Sequence, residues 1–69
     1  MIEKQIRLKQ DFYSTLNAMM NVKDMEELED KSIHASFVLR DLRKICTKYE
    51  MDVLVNELVQ AIIHFASAN

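Results

Sequence analysis

From Val53 to Ala68 the chain reads VLVNELVQAIIHFASA, a stretch with one formal charge, Glu57. Wound at 3.6 residues per turn, Met51, Leu54, Val55, Leu58, Ala61, Ile62 and Phe65 form one broad apolar stripe. Val53 and Ile63 fall outside it, on the side that a surface helix normally gives to charges. Such a helix needs cover on more than one side, and a chain of 69 residues has little material to provide it. Domains of this size hide only about 60 % of the surface their unfolded chains expose. The expectation is therefore a single helical domain, residues 1–69, that completes its burial by association.

Neither glycine nor proline occurs in the chain. Strand proteins and phosphate-binding loops depend on glycine for their turns, so the predicted class is all-α, with antiparallel helices joined by short links. Apolar residues at 49 % against 29 % charged are enough for a packed core and too many for a disordered chain. Cys46 stands alone, which excludes an internal disulfide, and no Cys/His cluster suggests a structural metal. No run reaches the ~18 apolar residues of a membrane span. Charges scattered between Glu3 and Asp11 leave no apolar segment of the signal-peptide kind. A reducing cytoplasm without membrane attachment is the expected setting.

Three helices are predicted, over about 1–20, 25–49 and 52–68. In the first, Ile2, Ile6, Leu8, Phe12, Tyr13, Leu16, Met19 and Met20 share a side, interrupted by Gln5 and Lys9. Asn21 is the available substitute for glycine in a left-handed position after its end. Asp24 and Glu27 then make a D-x-x-E start for the second helix, a variant of the capping box. Leu28, Ala35, Leu42 and Tyr49 recur every seven residues, with Val38 and Ile45 as companions, so the second helix is read through to Tyr49. Its acidic residues gather at the start and Arg40, Arg43, Lys44 and Lys48 at the end, each group where the helix dipole favours it. Asp52 serves as the expected cap of the third helix. Two alternatives stay open: one bent helix from Met25 to Ala68, and a break near Lys31 with Ser32 as a restart cap.

Chemistry is sparse. His34 and His64 are thirty positions apart, and neither stands at metal-ligand spacing from Cys46 or a carboxylate. Nucleophilic catalysis wants a Ser or Cys beside an oriented base on a loop of a rigid scaffold, and no substantial loop is expected here. The reading is therefore non-enzymatic, with no cofactor and no metal. Arg40, Arg43, Lys44 and Lys48 are the sole nucleic-acid signal. A net charge of −2 and the lack of a glycine-containing turn weigh against it, and a dimeric DNA-binding regulator is the alternative function.

Ile33 with Phe37 on the second helix, and Val53 with Ile63 on the third, are large apolar groups on sides that a minimal three-helix monomer leaves exposed. They are the candidate partner or dimer interface. The expected function is binding to another protein, as an adaptor, inhibitor, chaperone-like or transcription-modulating factor of the kind common among small bacterial and phage regulators. Homodimerisation through the second and third helices is expected with it, since antiparallel copies would set an acidic helix end beside a basic one.

Overall fold

The computed structural model describes residues 2–68, leaving aside the side chain of residue 68. It consists of three helices, α1 (Ile2–Met19), α2 (Met25–Leu42) and α3 (Lys48–Ala68), with no strand among the described residues. Successive helices run antiparallel, so α1 and α3 are parallel: Lys9 reaches Glu50, and Tyr13, one turn on, reaches Glu57. α1 packs most extensively on α2, and α3 closes the bundle against both. No described helix is long and apolar enough to cross a membrane.

The core is one cluster drawn from all three helices, with Phe12, Met19 and Leu42 as its largest fully buried side chains. α3 contributes Leu54, Leu58 and Ala61, flanked by the half-buried Met51 and Phe65. These positions alternate by three and four residues, the spacing of a single narrow seam. Thr15 is buried among them; its hydroxyl donates to the Asp11 carbonyl at 2.8 Å, which satisfies it within its own helix.

The first link follows expectation at one end. The Glu27 backbone N–H donates to Asp24 Oδ1 at 2.9 Å, and the Glu27 carboxylate accepts from the Lys23 N–H at 3.4 Å. At the other end Asn21 behaves differently from the expected left-handed cap. No described residue has a positive φ. Asn21 instead donates its side-chain amide to the Asn17 carbonyl at 3.1 Å, while its N–H bonds to Ala18 in a tighter turn. A chain without glycine ends its helices by tightening them, avoiding the Cβ clash of the left-handed region.

The second link corrects the sequence reading. α2 ends at Leu42, not Tyr49, and α3 begins at Lys48, not after Asp52. Arg43 caps α2 in right-handed geometry, and Lys44, Ile45 and Cys46 bond back to Asp41 and Leu42. Thr47 then opens α3 with a full reciprocal box. Its Oγ1 accepts from the Glu50 N–H at 3.2 Å, and its own N–H donates to Glu50 Oε1 at 2.9 Å. The heptad of apolar residues ran on past this T-x-x-E signature and masked it. Tyr49, expected in the stripe of the second helix, stands 77 % exposed on α3. Both alternatives fall too: no single helix joins Met25 to Ala68, and α2 passes unbroken through Lys31 and Ser32.

Candidate partner-binding surface

Glu50 does more than cap. Its Oε2 accepts from Lys9 Nζ at 3.2 Å and from Gln5 Nε2 at 3.3 Å, and Gln5 also lies 3.4 Å from Cys46 Sγ. The two residues that interrupt the apolar side of α1 are thus its polar tie to the start of α3. The Thr47 N–H, with the Lys9 ammonium and the Thr47 hydroxyl, holds the Glu50 carboxyl below its ordinary range. Further along, the Tyr13 hydroxyl donates to Glu57 Oε1 at 2.9 Å. Partial burial, reinforced by that carboxylate, pushes the phenol above its ordinary value. On the opposite flank of α1, His34 of α2 meets the Asp11 carboxylate at 3.0 Å.

These contacts orient each helix. Glu57 marks the flank of α3 that faces α1, and His34 marks the flank of α2 that faces α1. Between α1 and α3 runs an open groove of about 690 Å³, with Leu16, Met20 and Ala61 among its apolar lining and Glu57, Gln60 and His64 on one wall. A smaller groove adjoins it beyond Tyr13, lined by Lys9, Tyr49, Glu50 and Val53.

All four residues singled out from the sequence are exposed, Ile33, Phe37, Val53 and Ile63 lying between 40 and 58 %. They do not make one patch. Val53 and Ile63 line the two grooves beside α1, whereas Ile33 and Phe37 line neither and stand on the outer side of α2. What the sequence reading missed is a second seam on α3. Val55 and Ile62 were assigned to its buried stripe, yet with Val59 they remain 38–45 % exposed, and Ala66 continues the row in the open. They lie on the flank of the buried seam away from Glu57, hence on the side of α2. The signal was present as two offset three-four spacings along one helix, 51-54-58-61-65 and 55-59-62-66, which a single broad stripe had merged.

The basic group is also relocated. Arg40 closes α2, Arg43 caps it, Lys44 lies in the link and Lys48 begins α3, so the four straddle a turn instead of lining one helix. Lys48 sits at the dipole end that disfavours a cation. Among the described residues no group of three His, Cys, Asp or Glu is placed to hold a metal ion. Comparison with protein-family models, curated proteins and solved structures finds no match to this chain.

Proposed function

We propose that the chain is a small non-enzymatic protein–protein interaction module of the cytoplasm. It acts as an adaptor, inhibitor, chaperone-like or transcription-modulating factor through an apolar helix face, and assembles as a homodimer through α2 and α3. The observation that supports this is the outer seam of α3: β-branched side chains in a row, uncovered, on a helix whose other apolar seam is already buried. Side chains of this size gain about 1.5–3 kcal/mol on full burial, so completing the burial of each would contribute about 1 kcal/mol. Association costs about 4–15 kcal/mol, so a functional contact must recruit several of these groups together with their neighbours. Recognition of this kind reads a helix face, with apolar anchors for affinity and rim charges for orientation.

Affinity capture from the native host tests the reading. A protein held by the wild-type chain, and released when Val55→Glu or Ile62→Glu is introduced into a chain that keeps its helicity, is the expected result. Identical captures by wild type and both variants would remove the apolar surface as the binding element.

A further inference from the structure

We propose that the groove between α1 and α3 receives an amphipathic helix of another protein, laid antiparallel to both, with a Lys or Arg of that helix paired to Glu57. The inference takes its class of partner from the interaction-module reading above, and places it on a different face from the outer seam of α3. α1 and α3 run parallel and are the two helices that approach each other least. In an up-down bundle of four, parallel helices stand diagonally, and each side between them takes a helix of opposite direction. α2 fills one such side, and the groove is the other. A helix laid there opposes the macrodipoles of α1 and α3 together, as α2 already does.

Both banks of the groove are apolar at helical spacing. On α1, Ile6, Tyr13 and Met20 recur every seven residues and are 43–51 % exposed. A seven-residue interval is the one a neighbouring helix follows along its length. On α3, Tyr49, Val53 and Ile63 stand exposed, with Tyr49 and Ile63 two heptads apart. Tyr13, Met20 and Ile63 line the larger hollow, and Tyr49 and Val53 the smaller one beyond it. From Ile6 to Met20 the bank is about 21 Å long, room for about four turns of a docked helix.

Charge selects the occupant. Among the described acidic side chains only Glu50 and Glu57 are half-buried, and both stand in the cleft between α1 and α3. Glu50 has its cation, Lys9, at 3.2 Å. Glu57 accepts from the Tyr13 hydroxyl, makes no ion pair among the described residues, and looks onto the larger hollow. A carboxylate already drawn partly out of water, set among apolar groups, matches a cation carried on an apolar helix face.

The probe is a synthetic helix of about 18 residues, lactam-stapled so that it is helical alone. It carries leucines at three-four spacing and one central lysine on the same face, and its twin has glutamate in place of that lysine. Binding to the full chain is followed by fluorescence anisotropy, with circular dichroism on every variant. The lysine peptide is expected to bind at least about tenfold more tightly than its twin, and Glu57→Gln to remove most of that preference. Met20→Glu and Ile63→Glu are each expected to weaken the lysine peptide at least about tenfold, and Val59→Glu to leave it unchanged. A nitroxide at the N-terminus of the peptide should broaden the amide signals of Met20 and Ser67 and spare those of Ile6 and Tyr49. No binding by either peptide overturns the groove as a helix site, while the outer seam keeps its own capture experiment. Equal binding of the twins, or a preference that survives Glu57→Gln, overturns the pairing. Loss on Val59→Glu but not on Ile63→Glu places the peptide on the outer seam, and broadening at Ile6 and Tyr49 reverses the orientation. Wild type that self-associates without peptide, and dissociates on Met20→Glu, makes a second copy the occupant and overturns the foreign helix.

Discussion

Two seams of similar oiliness run along α3, and the bundle covers one. The inner, Met51, Leu54, Leu58, Ala61 and Phe65, is made of long or small side chains and meets the core that α1 and α2 provide. The outer, Val55, Val59, Ile62 and Ala66, is one residue further round and mostly β-branched. Two neighbouring helices can fill only about one side of a third. Apolar periodicity therefore measures how much of a helix seeks cover, not how much its own chain can supply.

The sharpest way to break that contrast is to truncate both seams and compare. Leu54→Ala should cost about 2–5 kcal/mol, because Leu54 is buried and its removal leaves a cavity. Val59→Ala, in urea unfolding at high dilution, should cost under about 1 kcal/mol, since nearly half of that side chain is already in water. Equal costs would mean that the outer seam is covered within the subunit.

Thr47→Ala should come next, at about 1 kcal/mol, because it removes the acceptor that satisfies the Glu50 N–H. Thr47→Ser should restore most of the loss. The inner seam depends on this cap: α3 must begin at Lys48 for Met51 and Leu54 to enter the core in helical register.

Glu50 gives the cap a pH signature. Its folded-state pKa is lowered from the ordinary 4.5, so its stabilisation is complete above that value and is lost as pH falls through the lower folded value. Urea midpoints of wild type should decline on acidification below about pH 5 more steeply than those of Glu50→Gln. Parallel profiles would detach Glu50 from the stability of the α1–α3 contact.

The smallest effect belongs to the flank of α3 opposite the outer seam. Tyr13 is an acid whose pKa is raised, so its contribution is present below the ordinary 10.0 and fades as pH rises through the folded value. Tyr13→Phe should cost about 0.5 kcal/mol near neutrality and flatten the alkaline limb of the stability profile. Unchanged alkaline behaviour would show that the Tyr13–Glu57 bond does not hold that flank closed.

Three helices, the Asp24 start and the buried set Leu28, Ala35, Val38 and Leu42 were all legible in the sequence, because a missing glycine and a repeating apolar interval act locally. The second turn was not. Ile45 and Tyr49 continued the heptad of α2, and the competing signal, Thr47 with Glu50, depends on which of two local arrangements better serves the whole bundle. Ile33, Phe37, Val53 and Ile63 all stand exposed, and their division between the grooves and the outer side of α2 required the neighbours of each helix to be known. Gln5 and Lys9 looked like flaws in an apolar side and became a tie only once α3 lay beside α1.

Composition and spacing decide how much apolar helix surface this chain carries and where its helices can start, since both arise from side-chain chemistry and contacts within a turn or two. Which seam of α3 is buried, and that Val55, Val59, Ile62 and Ala66 form an uncovered row, was decided by tertiary packing. A helix wheel assigns residues a direction about an axis, and only the placement of α1 and α2 turns one direction into the inside.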